Sequence, residues 1–576
     1  MSDHRPPAVL ALAASLSLLT FTPALAEWPQ GTSVVIGNDG TARGAAAGFF
    51  YPGETSDDFY VALVAWTGVG TEDCQVAHLG TDGQLLWSAT NVHLVVHPTL
   101  NLDPGFAPTG LGGFVNAFPW DPNFTGTYRI GGVIGDVQGV TSPPWPYLTF
   151  GNSAGSNSFP SCCRADGGGA YVTWMGQTKT ATGATSHSLR IQRLDASGAI
   201  APGWPDTGWK SRPVISGQNP LQTAADGSGG LLVAGFFSVG YIPFVHRIRG
   251  DTTVATGWPA AGLPLISSGT GNPTLPLRLV RSGANHFVAA WVGFDLGPGG
   301  NNKEMVVCQR FSLAGSLDPA WPPDGVLVET GMNDLNNLTC VEDGAGGVTV
   351  GWSETARYRV RHIRADGTTP GLYAGGPLSI DIPEVPNMFH ALGAMARGQS
   401  DGSCVFWNDN VTGIRGLWLD GDGNALGCGA PDDTCSALIL ADTQPRVVGA
   451  MADGNGGAYI LYGKYIPNLN DVHYVTRTNY LANTTTSVLP AGRTSGLWLA
   501  ISPNPAAGAL TVSIALPDAR PARLEVLDLA GRRLLARDLS HAGEHVEQLG
   551  ALAPGVYVVS VEQGGEHRTA RAVVVR

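Results

Sequence analysis

Apolar and polar positions alternate in short runs along most of this chain, and glycine-rich turns cut the runs. Four segments read Asp-Gly-x-Gly-Gly, or nearly so, ahead of a mostly apolar run. They are DGGGAYVTW from Asp166, DGSGGLLVAG from Asp226, DGAGGVTVGW from Asp343 and DGNGGAYILY from Asp453. Looser copies start at Asp57 (DDFYVALVAW), Ser282 (SGANHFVAAW) and Asp401 (DGSCVFW). The runs end at Trp66, Trp174, Gly235, Trp291, Trp352, Trp407 and Tyr462, at intervals of 108, 61, 56, 61, 55 and 55 residues. The first interval is double, and its middle holds GGFVNAFPW, ending at Trp120, as a degenerate eighth copy. Self-similarity at such a spacing marks a repeat architecture.

Each copy continues through a variable loop into a second alternating run closed by Asp-Gly or Ser-Gly, as in LRIQRLDASGA, VVCQRFSLAGS and YRVRHIRADGT. These residues tolerate the positive φ that a tight hairpin needs. Some 55 residues give room for four short strands and their loops, which is one propeller blade, whereas a solenoid turn is usually shorter. The pattern therefore predicts an all-β fold: a seven- or eight-bladed β-propeller over residues 27–495, followed by a small Ig-like β-sandwich over residues 496–576. A tandem of β-sandwiches is the alternative for the repeat region, since four strands per unit are inferred from length.

Two terminal segments stand outside the repeat. An apolar run from Ala8 to Phe21 leads into Pro23-Ala24-Leu25-Ala26, the small-x-small pattern of a signal peptidase site, so residues 1–26 read as a signal peptide. The run is too short to span a bilayer, and no later stretch is long and apolar enough for a transmembrane helix. From Leu497 the style changes to ALTVSIAL, ARLEVLDL, GVYVVSVEQ and TARAVVVR, alternating runs joined by Pro and Gly turns. Ser502-Pro503-Asn504-Pro505, then Asp528 and Gly531 within VLDLAGR, then Pro554, Gly555 and Tyr557 within LAPGVYVV, come in that order before a basic-flanked VVVR end. This tail resembles the C-terminal sorting domain of type IX secretion cargo, and it is also similar to the Ig-like module of the flagellar hook-cap family. The sorting-domain resemblance implies recognition by an outer-membrane export machine, removal of the tail, and release or attachment at the cell surface. Sorting domains often have lysines near the end; here Arg568 and Arg571 stand in their place.

Composition sharpens this picture. Glycine is 79 of 576 residues and only 14% of residues are charged, against averages of about 7% Gly and about 25% charged in soluble proteins. That excludes coiled coils and helical solenoids. With 43% hydrophobic residues the chain can bury a core. A net charge of −13 argues against a general nucleic-acid or anionic-membrane binder. Residues 501–576 hold acids and arginines in equal number, so the acidity belongs to the repeat region.

Candidate chemistry is sparse. Cys428 and Cys435 bracket a short loop and are the easiest of the eight cysteines to bridge; the other six cannot be paired from sequence. Trp204, Trp258 and Trp321 each precede a proline at one repeat position, suiting either packing between blades or sugar stacking. Asp420, Asp422 and Asn424 mimic the opening of a calcium loop, though Pro431 stands where its glutamate belongs and the stretch coincides with a hairpin turn. The Asp-Gly-x-Gly-Gly aspartates would form a carboxylate ring or simply shape turns. GNSAG at Gly151 matches a nucleophile elbow, but no helix can start after it. His93 and His97 lack a third ligand, and Arg249-Gly250-Asp251 falls on a hairpin tip. No catalytic residue is nominated and no cofactor beyond calcium. These features point to an exported, secreted or cell-surface binding or scaffold protein without enzymatic activity. Its expected partners are the outer-membrane export machinery and a polysaccharide or surface protein, not nucleic acid. A secreted carbohydrate-active hydrolase or lyase is the alternative, by fold analogy alone, and a structural envelope or hook-associated role comes third.

Overall fold

The computed structural model describes residues between Ser33 and Val574. Outside the description lie 1–32, 479–497, 575–576 and a set of connecting segments, the longest being 97–104, 140–147, 268–276, 382–392 and 427–434. Among the described residues there is one short 3-10 turn, Gly371–Gly375, and everything else regular is β-strand.

The repeat region forms eight four-stranded antiparallel sheets. Their first strands are Ala45–Pro52, Gly105–Pro108, Asn157–Arg164, Gln222–Ala225, Arg278–Arg281, Leu335–Glu342, Gly393–Arg397 and Pro445–Ala452. Sheets 1 to 7 follow chain order, strand by strand. Sheet 2 is the degenerate copy, with Phe114–Trp120 as its second strand. Sheet 8 differs, because its fourth strand is Ser33–Gly37, which pairs antiparallel with Leu469–Thr478. Two of the second strands, Leu231–Phe236 and Ser403–Asn408, are buried at every position, and the others along most of their described length. That explains their continuous apolar runs: these strands are covered on both faces.

Among the described residues eight hydrophobic clusters, not one, hold this region together, and each lies between neighbouring sheets. Sheets 4 and 5, for example, share Leu232, Val245, Trp258, Phe287 and Trp291. Sheets 8 and 1 share Ile36, Phe59, Leu79, Tyr459, Leu461 and Val475. The series of sheets thus returns to its start in a propeller-like arrangement. The first strand of sheet 8 packs against those of sheets 7 and 1.

The tail is a two-layer sandwich. One sheet holds Trp498–Ser502, Leu510–Leu516 and Gly543–Leu549; the other holds Arg533–Leu539, Ala522–Asp528, Gly555–Gln563 and Glu566–Val574. Val512 and Ile514 of the first sheet meet Leu524, Val526, Val559 and Val561 of the second in one buried core.

Candidate functional site

The Asp-Gly-x-Gly-Gly aspartates are the most regular polar feature of the repeats. Each sits in the turn between the first and second strands, hereafter the inner turn. Asp226 accepts hydrogen bonds from the Ser228 and Gly230 amides through Oδ1, at 2.7 and 2.9 Å, and from Arg247 Nε through Oδ2, at 2.9 Å. Asp343 accepts from the Ala345 and Gly347 amides in the same way and faces His362 at 2.9 Å. Asp453 accepts from the Gly457 amide and takes two bonds from Arg477. All three side chains are almost wholly buried. Burial opposes ionisation of Asp226 and Asp343, yet the amide, guanidinium and imidazole donors outweigh it and hold both below the ordinary carboxylate range. These carboxylates face inward, so they do not line an open ring.

The basic partner comes from the third strand, at one register position. His78, Arg193, Arg247, Arg310, His362 and Arg477 all lie opposite the second residue buried in the second strand. The acid varies around this fixed row. In sheet 1 it is Asp58, 2.7 Å from His78. In sheet 5 Ser282 takes the turn position and accepts from Arg310 Nε at 3.1 Å, while Asp318 pairs with the same guanidinium. Sheet 3 departs from the sequence alignment. Its turn closes from Ala165 to Gly169, as the turn of sheet 4 closes from Asp226 to Gly230. Asp166 is therefore one position late, and it accepts from the Gly229 amide of the next sheet. Without an acid at its turn, Arg193 lies over the Tyr171 ring, 5.6 Å from its centroid.

Side chains of several sheets also donate to turn carbonyls of the next. Tyr171 Oη reaches Gly229 O at 2.6 Å, and Ser282 Oγ reaches Gly346 O at 2.5 Å. Tyr459 Oη reaches Thr81 O at 3.3 Å, joining sheet 8 to sheet 1. His362 does the same with unusual consequences. Its Nδ1 lies 2.7 Å from Gly421 O of sheet 7 while Nε2 faces the Asp343 carboxylate. Both neighbours only accept, so both bonds are made together only by the protonated ring. Burial would push its pKa down, but the bonds to Asp343 and Gly421 raise it above the ordinary value. A raised folded-state pKa gives stability that is full below about pH 6.5 and lost as pH climbs through the folded value. His362→Gln, which can satisfy only one of the two acceptors, should cost about 2 kcal/mol near pH 6. The gap from wild type should narrow in alkali, as read from urea midpoints at both pH values.

Trp204, Trp258 and Trp321 belong to this same stitching. They are 6%, 7% and 4% exposed, and each indole N–H donates to a carbonyl in the turn after the third strand of the next sheet: Gly250, Leu313 and Ala365. Their faces are spent on packing between sheets and none is open to a sugar. Trp418, within the third strand of sheet 7, also donates to the next sheet, but to Gly456 O in its inner turn.

Asp420 accepts from the Asp422 and Asn424 amides and the Asn424 side chain, and Asp422 pairs with Arg364 of sheet 6. The calcium-like triplet is thus arranged as a hairpin turn. No group of three His, Cys, Asp or Glu suited to a metal occurs among the described residues. Arg249-Gly250-Asp251 is likewise a turn, with Asp251 accepting from Thr253. Cys162, Cys163, Cys308, Cys340 and Cys404 are free thiols. Burial pushes all five thiols up, which makes them poor nucleophiles. Cys428, the GNSAG segment and His97 lie outside the described residues, as does the side chain of His93. Among the described residues no helix is long and apolar enough to cross a membrane.

The tail motifs are turn fasteners. Asp528 accepts from the Arg532 amide through Oδ1 and from Arg532 Nε through Oδ2, both at 2.9 Å, closing the DLAGR turn. Tyr557 is buried, and its hydroxyl donates back to Ala553 O at 2.6 Å, tying the start of the Gly555–Gln563 strand to the residues before it. A tyrosine bonded to the backbone a few residues upstream is a recurring corner lock of sandwich domains. Pro503, Asn504, Pro505, Gly531 and Pro554 lie outside the described residues.

No curated protein matches the chain. Among solved structures it is similar to the apo form of prolyl oligopeptidase B from Galerina marginata, with 8% identity, TM-score 0.36, and coverage of 74% of this chain and 56% of that one. It is also similar to that enzyme bound to a 25mer macrocyclization substrate (12% identity, TM-score 0.33, 66% of this chain), where it spans about half the length, 48%, of the relative. An endo-arabinase from Bacteroides thetaiotaomicron VPI-5482 aligns at 10% identity and TM-score 0.28, over 62% of this chain and 99% of that one. Similarity this low transfers neither activity nor substrate. The tail is different: residues 500–576 match the family described as Secretion system C-terminal sorting domain, which marks the protein as type IX secretion cargo destined for the cell surface or the extracellular space.

Proposed function

We propose that this chain is a non-enzymatic binding or scaffold protein of the cell surface, an eight-bladed β-propeller delivered by an Ig-like sorting tail. The sorting-domain match over residues 500–576 carries the delivery half of this reading. The binding half is supported by where the acids are. Glycoside hydrolysis needs two carboxylates flanking the scissile bond. The eight first strands, innermost in a propeller, contain a single acidic residue, Glu342, and it is paired with Arg397 at 3.1 Å. Residues 1–26 act as the export leader in this reading, and Cys428 and Cys435 are bridged.

The experiment is to incubate the full secreted protein with a panel of polysaccharides and score retention and depolymerisation together. Retention without cleavage is expected, and chain cleavage would sink the proposal. Deleting residues 497–576 should leave the protein in the periplasm, as followed by cell fractionation. Normal surface delivery of that truncation would refute the role of the tail.

A further inference from the structure

The first strands carry a charge opposite to that of the chain as a whole. Net charge is −13 overall, yet these eight strands hold five arginines (Arg164, Arg278, Arg281, Arg397 and Arg446) against Glu342 alone. Three of the arginines share one register position, the last residue of the first strand, opposite the first buried residue of the second. The pairs are Arg164 with Ala170, Arg281 with Phe287, and Arg397 with Ser403. They belong to sheets 3, 5 and 7, alternate members of the series. Glu342 occupies the position in sheet 6, and the other four sheets place proline or alanine there.

The three guanidinium groups lie alike. Each reaches over the inner turn of the preceding sheet, where a glycine leaves room for it. A side chain at Gly110 would meet Arg164, one at Gly227 would meet Arg281, and one at Gly344 would meet Arg397. Arg164 is exposed, Arg281 is half-buried and the Arg397 side chain is 39% exposed. Arg281 donates to two neutral carbonyls, of Ala225 and Ala284, and stacks 4.8 Å from the Phe287 ring centroid. Those contacts orient the guanidinium without cancelling its charge.

We propose that this rim binds an acidic polysaccharide, whose carboxylate or sulfate groups are held by Arg164, Arg281 and Arg397. The proposal rests on the binding-protein reading above and names its ligand class. A guanidinium grips either oxyanion in bidentate fashion. Separation of the arginines by one intervening sheet each, with Glu342 the single acid in the row, suits charges spaced along a sugar chain. Duplex nucleic acid, with a charge about every 1.7 Å of axis, is far more densely charged than a row with one arginine in every second sheet. The buried tryptophans leave charge, rather than stacking, as the means of recognition.

The test uses the full secreted protein in retention assays on polygalacturonate, chondroitin sulfate, a neutral mannan and duplex DNA, at about 50 mM and about 500 mM salt. Wild type should be held by an acidic polymer at low salt and released at high salt. Preference for polygalacturonate or for chondroitin sulfate tells the carboxylate source from the sulfate source. Combining Arg164→Gln, Arg281→Gln and Arg397→Gln should weaken retention by about 10- to 100-fold. Arg446→Gln, at the far end of its strand, should leave it unchanged. Glu342→Gln removes the competing acid and should tighten binding about threefold, a gain that misfolding cannot mimic. Wild-type affinity in the triple variant, weaker binding by Glu342→Gln, equal retention on DNA, or retention on mannan alone would overturn the proposal. Mannan-only retention would spare the binding-protein reading. Depolymerisation would instead sink that reading, while the dependence of retention on the arginines, measured in the cold, still decides the rim.

Discussion

Removal of Ser33–Gly37 is expected to lower the stability of the repeat region by about 5 kcal/mol. The strand supplies one edge of sheet 8, pairing from Ser33 with Thr476 to Gly37 with His473. It buries Ile36, at 1% exposure, in the cluster shared by sheets 8 and 1. Burying one isoleucine is worth about 2 to 3 kcal/mol, and the lost backbone hydrogen bonds add roughly 1 kcal/mol each, less what water returns. Against a typical domain stability of about 5 to 15 kcal/mol, that is a large share. Urea unfolding followed by circular dichroism measures it. A midpoint within error of wild type would mean that the first and last sheets are not held together by this strand. Ile36→Ala is the milder form, with an expected loss of about 2 to 4 kcal/mol.

Asp226→Ala should cost about 3 to 5 kcal/mol, the toll of leaving one partner of a buried ion pair alone. The loss is threefold: the Ser228 and Gly230 amides lose their acceptor, and Arg247 loses its counter-ion. Asp226→Asn keeps an acceptor for the amides and should cost less than half as much. The two midpoints together separate turn geometry from charge. Equal losses would mean that the pair with Arg247 dominates. An alanine variant within about 0.5 kcal/mol of wild type, the range of an ordinary surface change, would show that the turn holds itself.

Much of this architecture could be read from the chain because tight turns have inflexible demands. Gly227, Gly344 and Gly454 stand at φ near 78°, 77° and 80°, where side chains are strained, so glycine spacing reported the period directly. The degenerate second copy emerged from interval length alone. What escaped was the set of third-strand partners, which lie 21, 19 and 24 residues beyond Asp226, Asp343 and Asp453. A partner separated by a loop of variable length leaves no fixed spacing to find. The glycine run Gly167-Gly168-Gly169 let Asp166 be aligned with Asp226, when hydrogen bonding puts Ala165 there. The tryptophans recur at one position of the sequence, but only their burial decides between sheet packing and sugar stacking. The arginine rim was invisible for another reason. First strands are short and precede the glycine signal, and their ends become neighbours only once the sheets have come round.

That return also orders events in time. Tyr462 Oη donates to Ser33 Oγ at 2.7 Å across 429 residues of chain, so one of the last contacts to form joins segments that are nearly the whole domain apart. Contacts this distant make folding slow, and until they form, the Leu469–Thr478 strand presents an unpaired edge to other molecules. The yield of refolding should therefore fall as protein concentration rises, even under conditions in which the finished fold is stable. The closing strand protects the protein's passage to the native state as much as the native state itself.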